Sequence, residues 1–205
     1  MNKKNNLINL KSDPIVLFSQ WFEEAKITEI NDANAMNLAT ISKDLSISSR
    51  MVLLKSFDEK GFVFFSNAES KKGVSIKENP KVALNFHWKS LLKQVRIEGK
   101  VEKIKETEAD QYYNSRPKGS RIGAWASEQS RLLDKRSDLE NRVKKYEKKF
   151  TNINIPRPPY WNGFRVKPIL IEFWQDMPFR LHDRVEFIKR KNITLTKSII
   201  RFNPS

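Results

Sequence analysis

The chain contains no cysteine. That excludes disulfides, a thiol nucleophile and any cysteine-ligated metal. Histidine is nearly absent as well, with His87 and His182 the only two, and no set of residues stands at metal-ligand spacing. No apolar run is long enough to span a bilayer. The opening stretch MNKKNNLINLKSD carries positive charge but no apolar core of a secretory signal, so a cytoplasmic protein is expected. There is no GxGxxG and no GxxxxGK[ST], so neither a Rossmann dinucleotide turn nor a P-loop is supported.

What is present describes a folded domain. The 205 residues are 39% hydrophobic and 11% aromatic, enough for one ordinary core. The net charge of +15 has two readings. One is a nucleic-acid-binding surface. The other is compositional: lysine, asparagine and isoleucine are all abundant, as AT-rich coding would produce.

Residues 1–12 read as a loose polar tail, and 13–205 as a single domain. DPIVLFSQWFEEA reads as a helix, capped by Asp13 and started by Pro14, with Leu17, Phe18, Trp21, Phe22 and Ala25 at helical spacing. The period then changes. AMNLATIS, SSRMVLLKSF and GFVFFSN are strand-like, SKKGVSIKENP is a short helix capped by Ser70, and KVALNFHW and KQVRIEGKVEKIK return to strand. ETEADQYYNSRP reads as helix up to Pro117. SDLENRVKKYEKKF is amphipathic, with Asp138–Arg142 and Glu140–Lys144 spaced to pair. INIPRPPYWNG is an irregular connection. FRVKPILIEFW, RVEFIKR and ITLTKSIIRF are further strands. Seven or eight strands at hairpin spacing, with helices between some of them, predict a curled antiparallel sheet, mainly β or α+β.

Four clusters could carry chemistry. In RLHDR, an extended strand would put Arg180, His182 and Arg184 on one face; a charged edge strand would show the same pattern. RMVLLK brackets four apolar residues with Arg50 and Lys55. SKK at 70–72 offers a hydroxyl, two ammonium groups and the free N–H groups of a helix start, a reasonable phosphate cradle. In YYNSRPKGSRIGAWASEQS, Tyr112 and Arg116 share a helix face and Ser120 lies just beyond Pro117, a set suited to a phosphomonoester. Gln129 and Ser130 follow. Together the clusters suggest two anionic ligands.

The stretches RMVLLK, FFSNAESKK, NPKVALNFHW, KQVRIEGKVEK, YYNSRPKGSRIGAWASEQS, PYWNGFRV and IEFWQ…RLHDR, in that order, closely resemble the pyridoxine (pyridoxamine) 5′-phosphate oxidase family. The resemblance implies an FMN-binding split β-barrel with inserted helices that works as a homodimer, with FMN between the subunits. It implies oxidation of pyridoxine 5′-phosphate or pyridoxamine 5′-phosphate to pyridoxal 5′-phosphate, with O2 as the final acceptor. By position it assigns FMN to Arg50, Met51, Val52, Leu53, Leu54, Lys55, Phe65, Ser66, Lys71, Lys72, Gln94, Gln129, Ser130, Trp174 and Arg184. It assigns the substrate to Lys55, Tyr112, Arg116, Ser120, Arg180 and His182, with Arg180 and His182 nearest the chemistry. Members of the family often carry tyrosine and threonine where this chain has Phe65 and Ser66, and arginine where Lys71 stands, which removes a bidentate phosphate contact there. The rivals are a related split-barrel flavoprotein with another substrate, a carrier of the cofactor without turnover, and a basic nucleic-acid-binding barrel.

Overall fold

The computed structural model describes residues 7–8, 12–189 and 196–198. Helix α1 (Pro14–Thr28) begins as its sequence predicts: the Asp13 carboxylate accepts the N–H groups of Ile15 and Val16. The next strands are β1 (Ala35–Ile41), β2 (Ile47–Leu53), β3 (Ser56–Asp58) and β4 (Gly61–Asn67). The single run SSRMVLLKSF is therefore broken at Leu54–Lys55, where the chain leaves β1 and turns toward β4. Helix α2 (Lys71–Glu78) leads to β5 (Lys81–Trp88) and β6 (Lys93–Lys103). Three helices follow, α3 (Glu106–Ser115), α4 (Lys118–Ala126) and α5 (Arg136–Lys149), and then β7 (Trp161–Gln175), β8 (Asp183–Ile188) and β9 (Thr196–Ser198). The rest of the expected last strand lies outside the described residues.

The nine described strands form one antiparallel sheet in the order β2-β1-β5-β6-β7-β4-β3, with β8 on β7 and β9 on β8. One strand organises it. β6 pairs along almost the whole of β7, while β4 pairs with its first part, Trp161–Val166, and β8 with its last, Leu170–Gln175. The change of partner falls at Pro168, which has no N–H to give a ladder. Opposite it, the β6 register slips between Glu98 and Gly99. Gly99 is needed there, because a Cβ would lie 2.2 Å from the Lys167 carbonyl oxygen. The bulge bends the sheet, so it curls around α1 and splits open instead of closing.

Helix α1 fills the hollow. Phe18 is fully buried and meets Phe57, Phe62 and Phe86 edge-on at 4.8–5.2 Å between ring centroids, while Trp21 meets Phe173 at 5.2 Å. Such pairs each add about 0.5–1.5 kcal/mol beyond area burial. Ile8, within the segment expected as a loose tail, is also buried in this core, and its N–H donates to Asp183 at 2.7 Å. A second core joins α3, α4 and α5 to the start of β7 through Tyr113, Ile122, Phe150, Ile155 and Trp161.

Two local expectations change. Residues 118–126 form α4, which two glycines and the preceding proline obscure in the sequence. In α5, Arg142 pairs with Glu128 at 3.1 Å instead of Asp138, and Arg136 pairs with Glu140; Asp138 turns back to accept the Lys135 N–H. No described helix is long and apolar enough to cross a membrane.

The bulge supplies a stability test. Gly99→Ala should lower the unfolding free energy by about 1–3 kcal/mol, because the clashing atom is backbone and cannot swing away. Gly123→Ala, in α4, adds a methyl that meets nothing within 4 Å and should be neutral or stabilising by up to about 1 kcal/mol. Urea unfolding measures both; equal effects would show that the bulge imposes no such constraint.

Candidate active site

The start of α2 is a cationic cradle. The Ser70 hydroxyl donates to the Asn67 carbonyl at 2.6 Å and accepts from the Gly73 N–H at 3.3 Å and the Lys72 ammonium at 3.1 Å. Gly73 allows the turn, since a Cβ would lie 2.3 Å from the Ala68 carbonyl oxygen. Lys72 also donates to Gln129 Oε1 at 2.9 Å, and the Lys71 N–H donates to Ser130 Oγ at 3.1 Å. Residues far apart in sequence thus meet here: Lys71, Lys72, Gln129 and Ser130.

Arg50 completes this cluster. Its guanidinium donates to the Leu38 and Ser48 carbonyls, both at 3.1 Å, to Thr40 Oγ1 at 2.8 Å and to Ser48 Oγ at 2.5 Å. All of these acceptors are neutral. Burial lowers the pKa of Arg50 and of Lys72, and the charge of Arg50 lowers Lys72 further. Among the described residues neither has a carboxylate partner. By contrast, Arg157 is matched by Asp110 and Glu106, and Arg165 by Asp58 and Glu108. Two half-buried like charges beside a helix N-terminus are stabilised by an anion placed between them.

A third unmatched cation lies in the second core. Arg116 is half-buried over the Trp161 ring, 4.8 Å from its centroid, and its Nη1 is buried with no hydrogen-bond partner among the described residues. Burial lowers its pKa. Tyr112 stacks on Phe65 at 4.1 Å, and Phe65 on Trp161 at 4.9 Å. The neighbouring Tyr113 is structural: its hydroxyl donates to the Arg121 carbonyl at 2.9 Å, and burial pushes its pKa up to about 12. Ser120 is exposed in the first turn of α4, and its hydroxyl makes no hydrogen bond among the described residues. Ser66 is buried on β4, opposite Asn162.

The other end of β7 carries a separate group. Gln94, Trp174 and Arg184 stand in one row across β6, β7 and β8. The Arg184 Nε donates to Glu172 Oε2 at 2.6 Å, and Arg96 reaches both oxygens of the same carboxylate at 3.3 Å. Glu172 is only 2% exposed, so this buried carboxylate is balanced by two guanidinium groups. Burial and the Glu172 carboxylate raise the pKa of the neighbouring Glu186.

The strand expected over RLHDR is corrected here. β8 begins at Asp183, and Pro178–Arg180 form a tight turn in which Phe179 and Arg180 take left-handed φ values of 60° and 62°. This turn breaks the extended backbone, so alternation does not relate Arg180 to His182 and Arg184. Arg180 is exposed at the loop. His182 lies over Trp174, with ring centroids 4.7 Å apart.

Met51 and Leu53 are exposed on β2, Val52 is half-buried and Leu54 is in the core. Lys55 is exposed on the rim of a cavity of about 610 Å³ also lined by Phe22, Asp32, Asn34 and Phe57; it makes no hydrogen bond or ion pair with Tyr112 or Arg116. Of the assigned residues, Phe65, Ser66, Tyr112 and Arg116 therefore lie toward one end of β7, and Gln94, Trp174, Arg180, His182 and Arg184 toward the other. Trp161 marks one end and Trp174 the other, and a 15-residue strand runs roughly 45 Å along its contour. Sequence reasoning overlooked Glu172 and Asp176. A lone glutamate inside the apolar run ILIEFW was the signal available for the first. No group of residues suited to a metal ion occurs among the described residues.

A family model described as pyridoxamine 5′-phosphate oxidase matches residues 22–150, and one described as the pyridoxine 5′-phosphate oxidase C-terminal dimerisation region matches 161–198. Pyridoxine/pyridoxamine 5′-phosphate oxidases from Brucella canis and Brucella suis are 54% identical over 189 residues, covering 92% of this chain and 93% of each relative. Among solved structures, PhzG from Burkholderia lata 383, in complex with tetrahydrophenazine-1-carboxylic acid, aligns with a TM-score of 0.88 at 27% identity over 94% of both chains. A pyridoxamine 5′-phosphate oxidase-related, FMN binding protein from Nostoc punctiforme shares the fold, with a TM-score of 0.73 at 13% identity over 94% of this chain and 99% of that one. The chain belongs to the pyridoxine/pyridoxamine 5′-phosphate oxidase family of split-barrel flavoproteins.

Proposed function

We propose that the chain oxidises pyridoxine 5′-phosphate or pyridoxamine 5′-phosphate to pyridoxal 5′-phosphate as an FMN-dependent homodimer. The observation that carries this reading is the pair of half-buried cationic sites that have no carboxylate partner among the described residues, one at Arg50 and Lys72 and one at Arg116. A cofactor and a substrate that each bear a phosphomonoester, with about −1.5 to −2 charge near neutrality, would supply the missing charges. The 54% identity to oxidases of that name supports the choice of substrates.

Arg50, Lys71, Lys72, Gln129 and Ser130 would hold the FMN phosphate at the α2 start. Gln94, Trp174 and Arg184, at the other end of β7, would meet the flavin held in the partner subunit's cradle. Bound FMN would supply a hydride acceptor at N5 for hydride from substrate C4′, and its reoxidation by O2 would give hydrogen peroxide. Tyr112, Arg116, Ser120 and Lys55 would hold the substrate phosphate. Arg180 and His182 would orient the pyridine ring and its polar groups. With the amine substrate, hydrolysis of the product imine would release ammonia.

The separation along β7 supports the dimer. A single-ring phosphate ester cannot reach from the Arg116 group to the Arg180–His182 loop of the same chain. A two-fold copy could bring its own loop to that phosphate site, and symmetry would make two equal sites. The matched C-terminal dimerisation region, residues 161–198, covers β7 and that loop.

The first test is a visible spectrum after FMN loading and desalting, followed by anaerobic pyridoxine 5′-phosphate. The flavin band should persist, bleach with substrate and return in air. A retained band that bleaches with neither the alcohol nor the amine would leave the fold intact and favour a different substrate, as the PhzG relative illustrates by holding a carboxylic acid.

Arg50→Ala should weaken FMN binding roughly ten- to hundredfold, the scale of one charged hydrogen bond. Titration of the apoprotein by flavin fluorescence measures this, and unchanged affinity would remove Arg50 from the phosphate site. Arg180→Ala and His182→Ala should each slow flavin reduction on the order of a hundredfold by loss of orientation, with FMN still bound. Normal rates in stopped-flow reduction would rule out the orienting role.

A further inference from the structure

We propose that Asp176 is a positioning residue that fixes the tautomer of His182, holding the ring proton on Nδ1 and leaving Nε2 as a free hydrogen-bond acceptor. The inference rests on the proposed function only for what Nε2 meets, namely the substrate; the tautomer stands apart from it.

Gln175 and Asp183 are the last paired residues of β7 and β8. Asp176 and His182 are therefore the first and last residues of the loop that displays Arg180. Both ends are tied down. The Asp176 N–H donates to the Leu92 carbonyl at 2.9 Å, fastening the loop to the β5–β6 hairpin. Trp174 packs against the imidazole and limits its rotation.

Two groups approach the same ring nitrogen. Asp176 Oδ1 lies 2.8 Å from His182 Nδ1, and the Met177 backbone nitrogen lies 3.2 Å from it. A ring nitrogen either carries a hydrogen or offers a lone pair, so the two contacts require opposite states. The carboxylate contact is shorter and charge-assisted, and such bonds are about twice as strong as neutral ones. It therefore prevails when the ring proton is placed, and the Met177 N–H, although directed at the same nitrogen, is left without a lone pair to meet there. With Nδ1–H committed to Asp176, the lone pair of the neutral ring is on Nε2. Orientation by a carboxylate behind the ring is a recurring way of setting which face of a histidine does the work.

The backbone makes the tie more consequential. Phe179 and Arg180 both hold left-handed φ values, a conformation that non-glycine residues adopt only under constraint. Closing the loop at its base through Asp176–His182 holds this strained turn, so the contact positions Arg180 as well as the imidazole.

The test uses FMN-loaded protein labelled with 15N-histidine, observed by long-range 1H–15N correlation in mildly alkaline buffer. Two histidines give two patterns, and His87→Gln assigns them. Wild-type His182 should show the Nδ1–H pattern. Asp176→Asn can turn a donor toward Nδ1 and should invert the pattern to Nε2–H, whereas Asp176→Glu should keep Nδ1–H. In stopped-flow reduction by pyridoxine 5′-phosphate, Asp176→Asn should be slowed at least about tenfold with FMN affinity unchanged, and Asp176→Glu should recover part of the rate. An Nε2–H pattern in the wild type, or no change in Asp176→Asn, would overturn the tautomer assignment. An inverted tautomer with full reduction rate, while His182→Ala remains slow, would overturn the positioning role. If neither variant is slowed and the tautomer still inverts, the assignment to Asp176 stands and the substrate role of His182 fails.

Discussion

A bulge between Glu98 and Gly99, facing Pro168, decides what the longest strand can do. Proline interrupts the ladder and glycine admits the close backbone approach, so β7 exchanges β4 for β8 without ending. Its first half is then built into a helical layer, where Trp161 supports Arg116 and the Tyr112–Phe65 stack. Its second half is built into an outer sheet row, where Trp174 supports His182 and stands beside Gln94 and Arg184. The same strand is thus a scaffold for two groups that it also keeps apart.

Charge gives these groups their meaning. The chain carries a large positive excess, yet its buried cations are not alike. Arg157, Arg165 and Arg96 are matched by carboxylates and hold elements together. Among the described residues, Arg50, Lys72 and Arg116 have lost water without gaining a carboxylate, a costly state that a bound anion relieves. Arg184 is different again: Glu172 fixes its head group while its row faces the flavin position proposed above. The distinction between matched and unmatched cations is sharper than net charge as an indication of function.

Much of this was legible in the sequence because local rules act alone there. Asp13 and Pro14 start α1, Ser70 starts α2, and alternation marks β1, β5 and β6. The ordered motifs carried the family. Other features depend on distant partners. Whether Arg142 pairs with Asp138 or Glu128 is settled by where the 126–135 connection runs. RLHDR invites an alternating-strand reading, but the left-handed pair Phe179–Arg180 keeps residues 180–182 in a loop and β8 starts only at Asp183. Ile8 is ordinary in an otherwise polar segment until Asp183 offers an acceptor for its N–H. The separation of the two groups could not be read at all, since it follows from the partner exchange along β7.

That separation is the central claim, and mixed dimers test it most directly. Arg116→Ala and Arg180→Ala, each prepared alone, should be nearly inactive as homodimers. If every site combines Arg116 of one subunit with Arg180 of the other, subunit exchange between the variants restores one intact site in each mixed dimer. At equal mixing, about a quarter of wild-type activity should return, since about half the dimers are mixed and each has one good site of two. No recovery despite demonstrated exchange would mean that both residues act within one chain, and would contradict the account.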